Sequence, residues 1–161
     1  MAKRKLLKDQ DRRKLVDIPV DEDSLIRHYS LSLADRLEIE LGRRNHNRLG
    51  FTIQLCLMRY PGRVLGLEET PPRAMLKYVA DQIGAAPDQF ALYARREETR
   101  RDHMARLMVY LDTRSATLQD RCAALLGAIQ TATTSDDGAA IASSTVASFR
   151  ERGAGAGQKK L

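Results

Sequence analysis

The side chains best suited to chemistry in this sequence are a group of arginines and amides at the start of a long apolar run. The segment RRNHNRLGFTIQLCLMRYPGR, residues 43–63, contains five arginines and no acidic residue. A guanidinium group binds phosphate through two parallel hydrogen bonds, and asparagine side chains can read base edges. The segment therefore favours contact with a nucleic acid, although arginines around an ordinary buried helix would use the same residue types. The candidate residues are Arg43, Arg44, Asn45, Asn47, Arg48, Arg59 and Arg63.

A second group of cations lies in YARREETRRDHMARL, residues 93–107. Its glutamate at 97 and arginine at 101 are spaced for an ion pair along a helix, so a solvated helix face explains part of the pattern. The arginines still outnumber the acidic residues, and a tyrosine and a histidine lie among them. We therefore predict DNA contacts here as well, from Arg95, Arg96, Arg100, Arg101 and His103.

The sequence contains no arrangement of residues that predicts catalysis. Its three histidines are far from one another and from Cys56 and Cys122, without the spacing of metal ligands. No glycine-rich phosphate loop and no nucleophile elbow is present. The acidic clusters at 21–23 and 136–137 are interpreted as residues that favour helix starts. We predict no enzyme activity, no cofactor and no metal site.

The positive charge is concentrated in two segments. The net charge is +6, and residues 1–14 and 41–67 each contribute +5 while the remainder contributes −4. A localised excess of this kind favours an anionic partner. We interpret residues 1–14 as a mobile basic arm that contacts phosphates, and a solubilising tail is the alternative.

An all-α domain is predicted to position these residues. Ser32 and Asp35 predict a helix start, and Leu33, Leu37 and Leu41 fall on one face of that helix, which we expect to be its apolar face. Asn45 or Asn47 is expected to cap the central helix, whose apolar residues 51–58 predict near-complete enclosure. Pro61-Gly62 is expected to end it.

Later signals predict further helices. Pro72 and Gly84 bound one of them, another begins at Pro87, and residues 104–111 carry an apolar face. Thr117 with Asp120 begins a helix whose predicted apolar residues are Leu118, Cys122, Leu125, Leu126 and Ile129. We predict a basic arm at 1–14, a helical domain at 15–130, and a weak helix with a flexible tail at 131–161.

The same sequence predicts the class of protein. It has no run of about 18 apolar residues and no secretory signal, which predicts a cytoplasmic protein without membrane contact. Two unpatterned cysteines in such a protein are expected to be reduced core residues.

Four strings resemble, in order and spacing, the N-terminal region of the large replicative transposases of the Tn-three type. They are DEDSLIRHYSLS, NRLGFTIQLCLMRYPGR, PPRAMLKYVADQIG and YARREETRRDHMARL. The resemblance implies a helical module that binds double-stranded DNA at the transposon's terminal inverted repeats. It also implies that cleavage and strand transfer belong to a larger C-terminal part with an Asp/Asp/Glu triad, of which we expect no counterpart here. The residues that occupy the family's motifs are Arg48, Arg59, Arg63, Arg96, Arg100, Arg101 and His103.

After Ile129 the sequence departs from the family pattern and becomes rich in small residues, which we interpret as a truncated or decaying copy, or as a piece cut from a longer chain. The leading hypothesis is a DNA-binding transposase fragment in the bacterial cytoplasm, associated with the nucleoid when bound to DNA. The alternative is a helical protein-interaction module, or a remnant without sequence-specific binding. On that alternative the chain associates with itself or contacts a full-length transposase.

Overall fold

Helices make up nearly all of the regular structure in residues 7–93 and 97–155, the part of the chain that the computed structural model describes. In chain order these are α1 (Asp9–Lys14), α2 (Glu22–Tyr29), α3 (Leu33–Glu40), α4 (Asn45–Arg59), α5 (Arg73–Ile83), a 3₁₀ helix (Pro87–Leu92), α6 (Glu97–Tyr110), α7 (Leu118–Thr134) and α8 (Gly138–Glu151). Two short strands, β1 (Arg114–Ser115) and β2 (Ala154–Gly155), pair in parallel. The prediction of an all-α fold is confirmed.

The helix starts predicted at Ser32 and Thr117 are confirmed, whereas the cap predicted for α4 is not. Ser32 and Asp35 form a reciprocal capping box at α3, and Thr117 and Asp120 form another at α7, as predicted. Gly84 ends α5 in the left-handed conformation, with a φ of +64°. The prediction that Asn45 or Asn47 caps α4 is wrong. The cap position belongs to Arg44, which forms no side-chain capping hydrogen bond.

The contacts between residues divide the chain into two compact units. Unit 2 consists of Ile18–Tyr60 and Val64–Tyr110. Unit 1 consists of the described parts of Met1–Asp17, Pro61–Arg63 and Leu111–Leu161. Residues 9–14 of the predicted arm form α1, and α8 occupies the region in which a weak helix was expected. The predicted division at residues 14 and 130 stays a prediction.

The core of unit 2 is built around α4. All nine residues from Leu49 to Leu57 are buried, which agrees with the prediction that this helix is nearly enclosed. Helices α2 and α5 pack against α4, and Leu65 from the following loop joins them. Each large apolar side chain buried in this way contributes about 1.5–3 kcal/mol. The apolar body of α4 therefore fixes both of its ends.

The three leucines of α3 fall on one face, as predicted, but that face lies outside the core. Leu33, Leu37 and Leu41 are exposed, whereas Asp35 and Ile39 are buried. The reason is that α3 turns Asp35 inward, where Arg59 of α4 and Tyr110 of α6 donate hydrogen bonds to its carboxylate. A charged group that gains such partners can lie inside while leucines remain outside.

The apolar residues predicted for α7 lie mostly at the surface of that helix. Leu118, Leu125, Leu126 and Ile129 are more than half exposed, and Cys122 is exposed. In unit 1, α7 packs on α8 through small residues instead, with Ala124 buried and a hydrogen bond of 3.0 Å between the hydroxyls of Thr131 and Ser144.

The two cysteines differ in their surroundings, and both are free thiols. Cys56 lies in the core, where burial raises the pKa of its thiol to about 12. The expectation that Cys122 is also a core residue is wrong, because it lies on the outward side of α7.

Candidate nucleic-acid interface

The start of α4 presents a group of polar and cationic side chains, which we call the α4 head: Arg43, Arg44, Asn45 and Asn47. The first three residues are exposed and Asn47 is half-buried. Within the described part of the chain, neither Arg43 nor Arg44 forms a side-chain hydrogen bond or an ion pair. The first turn of α4 contains no acidic residue, and no side chain caps its backbone N–H groups. Those N–H groups and the positive end of the helix dipole favour an anion at this position.

Arg48 lies one turn further along α4 and holds the connection to α3. Its Nε donates a hydrogen bond to the carbonyl of Gly42 at 2.6 Å, and its Nη2 donates to the carbonyl of Glu40 at 3.1 Å. A Cβ at Gly42 would lie 3.0 Å from Cγ of Arg48, so the two residues pack tightly. Arg48 therefore orients the α4 head, with two of its five N–H donors committed to backbone carbonyls.

Arg59, at the other end of α4, is held by a buried carboxylate, although about a third of its side chain is exposed. It forms a two-pronged pair with Asp35, in which Nη1 lies 2.8 Å from Oδ2. The Tyr110 hydroxyl donates to Oδ1 at 2.6 Å, and the Ser32 backbone N–H donates to Oδ2 at 2.8 Å. Burial alone would raise the pKa of Asp35, but these hydrogen bonds outweigh it and hold the pKa well below its usual range. We therefore leave Arg59 out of the interface.

The arginines predicted in α6 also differ in how strongly the rest of unit 2 holds them. Arg100 donates a hydrogen bond from Nη2 to the carbonyl of Leu65, which fixes a loop of unit 2. Arg101 is 74% exposed, and its nearest acid is Glu97 at 3.7 Å on the same helix. An exposed pair of this kind contributes under about 1 kcal/mol and can exchange for a phosphate. Arg101 is thus the more available of the two arginines to an external partner.

His103 packs inside unit 2. Its Nδ1 lies 3.2 Å from the Tyr93 hydroxyl, and its ring meets Phe51 edge-on at 5.3 Å between centroids. Burial lowers the pKa of His103, and the nearby charge of Arg106 lowers it further. The imidazole is therefore neutral near pH 7 and cannot serve as a phosphate-binding cation.

The remaining predicted residues cannot be joined to this surface. Arg63 belongs to unit 1, where its Nε donates to the carbonyl of Val16 at 3.1 Å. Arg95 and Arg96 lie outside the described residues. The interface that the geometry supports is therefore the α4 head, with Arg101 as a second exposed cation of unit 2.

One structural arginine was missed by sequence reasoning. Arg106 donates from Nε to Oε1 of Glu38 at 2.9 Å, and its guanidinium lies 4.3 Å above the ring of Phe51. Its partners are distant in sequence, so no local spacing marked it. Arg106 links α3, α4 and α6 and supports the orientation of α4 within unit 2.

The described part of the chain contains neither a candidate metal site nor a helix suited to cross a membrane. Residues 7–93 and 97–155 contain no group of three or more His, Cys, Asp or Glu side chains that could hold a metal ion. Over the same residues, no helix combines the length and the apolar character that crossing a membrane requires.

Comparison with known proteins finds a matching family and several related transposases. Residues 6–154 match the family described as "Domain of unknown function (DUF4158)". The chain is 35% identical over 152 residues to the transposase for transposon Tn21 of Escherichia coli and 34% identical over 152 residues to that for Tn501 of Pseudomonas aeruginosa. Both alignments cover 94% of this chain and 15% of the relative. The transposase for transposon Tn1546 of Enterococcus faecium is 33% identical over 73% of the chain.

The matched region is thus a small part of each relative, since this chain spans about 15% of the length of the first two. The resemblance that the four sequence strings predicted is confirmed. The chain belongs to the family described as "Domain of unknown function (DUF4158)" and is related to transposases of the Tn-three type.

Proposed function

We propose that this chain is a DNA-binding part of a transposase, and that it contacts the DNA backbone through the α4 head. One observation carries the proposal. The exposed arginines at 43 and 44 have no partner within the described residues and stand beside an uncapped, acid-free helix start. Other arginines of unit 2, at 48, 59, 100 and 106, are held by internal acceptors. Membership of a family with transposase relatives makes DNA the natural polyanion.

In this proposal, different parts of α4 bind phosphate, contact bases or the DNA backbone, and keep the surface rigid. Arg43 and Arg44 supply guanidinium groups for phosphate, and the free backbone N–H groups of the first turn supply further donors. Asn45 and Asn47 follow directly and can hydrogen-bond to bases or to the sugar–phosphate backbone. The buried stretch from Leu49 to Leu57 keeps this surface rigid. Rigidity favours binding because little conformational entropy is lost when DNA docks.

The finer part of the proposal is the DNA target. We propose that the target is a terminal inverted repeat of a transposon, on the basis of the names of the relatives and the motif resemblance. The chain has no catalytic step in this proposal. Cleavage and strand transfer are assigned to the parts of a transposase that this chain, at about 15% of the relatives' length, does not span.

The test is a fluorescence anisotropy titration of the chain with a duplex that carries the terminal repeat of its own transposon, repeated at several salt concentrations. The Arg43→Gln/Arg44→Gln variant should bind more weakly at low salt. Its plot of log affinity against log salt should be less steep by about 2, because each lost phosphate contact reduces the slope by about 1. A scrambled duplex measures how much of the affinity depends on sequence.

The matched control is Arg73→Gln/Lys77→Gln, which removes the same charge from exposed positions on α5. This control should retain most of the wild-type slope. If both double variants lose affinity and slope equally, net charge explains the binding and the α4 head has no special role. Equal affinity for the repeat and the scrambled duplex would remove the inverted repeat as the specific target.

A second candidate function is contact with the rest of a transposase, and the exposed leucines of α3 favour it. Leu33, Leu37 and Leu41 repeat every fourth residue along one side of that helix and are exposed. The measurement is co-purification of this chain with the full-length Tn21 transposase. Leu37→Glu should abolish co-purification if α3 is the docking helix, and unchanged recovery would exclude it.

A further inference from the structure

The outward side of α7 carries a regular apolar stripe within unit 1. We call the following residues the α7 stripe: Leu118, Cys122, Leu125, Ile129 and Ala132. Successive members are four, three, four and three residues apart, and all are exposed. The opposite side of the helix, with Ala124 and Thr131, packs on α8. The stripe is thus a second apolar face on a helix that is already folded.

We propose that two copies of this chain pair through the α7 stripe, with their α7 helices parallel. Alternating spacings of four and three are those of a coiled-coil seam, in which each side chain inserts between four residues of the facing helix. In that register Cys122 and Ile129 take the first seam position, and the two leucines take the other. A β-branched residue at the first position and leucine at the other favour a parallel pair of two helices.

A second copy fits this stripe better than an unrelated partner because the stripe is self-complementary. No charged residue lies within it, so two copies bring no like charges together at the centre. Arg121 flanks the seam on one side and Leu126 on the other. In a parallel pair the two flanking positions of opposite copies meet, so the aliphatic stem of Arg121 covers Leu126 of the second copy while its charge reaches solvent. A twofold axis along the helices then buries the same surface on both copies.

The surface area buried in the seam sets the affinity expected for the dimer. Helix α7 has 17 residues and is about 25 Å long, so the pair buries on the order of 1,000 Å² in total. An area of that size is at the lower limit for a specific complex, and we expect a dimer that dissociates at micromolar concentrations. A short isolated helix would also lose entropy on folding, but α7 is already held by α8 within the chain.

The first experiment is sedimentation velocity of the full chain without DNA, at concentrations from about 1 to 200 μM across the expected range. The wild type should shift from monomer to dimer. Leu125→Glu should raise the dimer dissociation constant by more than about a hundredfold, since each dimer loses two buried leucines and gains two charges at its centre. The matched control is Leu37→Glu, which changes an equally exposed leucine on α3 and should dimerise like the wild type.

The second experiment uses Cys122, since Cys56 is buried and shielded. In a parallel seam the two Cys122 thiols face each other, so mild oxidation with diamide should give a disulfide-linked dimer on non-reducing gels. Cys122→Ser should prevent the link. Leu125→Glu keeps the thiol but should slow the reaction at least about tenfold.

Circular dichroism and thermal unfolding establish that each variant is folded before either result is used. A wild type that stays monomeric at the highest concentration would overturn the proposal. So would equal loss of dimer in Leu125→Glu and Leu37→Glu. Dimerisation without a Cys122 disulfide would overturn the parallel register.

Discussion

The two ends of α4 carry the same kind of side chain in opposite roles. At the start of the helix, Arg43 and Arg44 are exposed and form no side-chain hydrogen bond or ion pair within the described residues. At the end, Arg59 is paired with the buried carboxylate of Asp35. The residue type is identical, so the difference comes from what the surrounding helices offer. An arginine is most available to a ligand where the fold brings no buried acceptor within its reach.

The largest expected effect comes from breaking the pair at the end of α4. Asp35→Ala should lower the free energy of unfolding by about 3–5 kcal/mol, because it leaves the Arg59 guanidinium without its carboxylate and frees Tyr110 and Ser32. Urea denaturation measures this change. The control Asp81→Ala removes an exposed aspartate and should stay within about 0.5 kcal/mol of the wild type. Similar values for the two variants would show that the pair contributes no stability.

A smaller loss is expected from the body of α4, which connects the two ends. A Cβ at Gly50 would overlap the ring of Tyr93, so Gly50→Ala forces that ring or the helix to move. We expect a loss of about 1–3 kcal/mol, as for other overpacked cores. The matched control is Gly127→Ala on α7, where a Cβ would meet nothing within 4 Å. That change should be neutral or stabilising by up to about 1 kcal/mol, because alanine favours helix more than glycine does.

A smaller loss of stability again is expected for Arg48, whose guanidinium binds two backbone carbonyls. Arg48→Gln removes donors from the carbonyls of Gly42 and Glu40, and should cost about 1–2 kcal/mol. Arg43→Gln/Arg44→Gln should change stability by less than about 0.5 kcal/mol. Thermal unfolding of both variants compares them directly. A double variant as destabilised as Arg48→Gln would mean that the α4 head is structural after all.

The smallest effect concerns pH and the neutral state of His103. Burial lowers the pKa of this residue in the folded chain, while in the unfolded chain it returns to its ordinary value of 6.5. Below that value the unfolded chain binds more protons, so stability falls as the pH falls and is fully present above it. His103→Gln should flatten the change in unfolding free energy between pH 7.5 and pH 5.5. An unchanged pH profile would contradict the buried neutral assignment.

Local features of the fold could be predicted because their causes are local. Ser32 with Asp35, Thr117 with Asp120, and Gly84 each act on backbone groups within a few residues, and the structure confirms all three. The enclosure of α4 could also be predicted, since the apolar residues within 51–58 surround most of the helix.

The roles of individual charged residues could not be predicted in this way. Asp35 was interpreted only as a cap, because its partners Arg59 and Tyr110 are 24 and 75 residues away. Once Asp35 turned inward, the leucines of α3 had to face outward, which no periodicity would indicate. The α4 head was identified from residue type, whereas its separation from Arg48, Arg59 and Arg100 required the coordinates.

The connectivity of the two units has a consequence for synthesis on the ribosome. Unit 2 is complete once residue 110 has emerged, whereas unit 1 combines an early segment, Pro61–Arg63 and the described residues from Leu111 onward. Domains generally fold as units during translation, with the earlier part first. The α4 head is therefore organised before α7 exists, so a nascent chain acquires its cationic surface ahead of any means of joining a second copy.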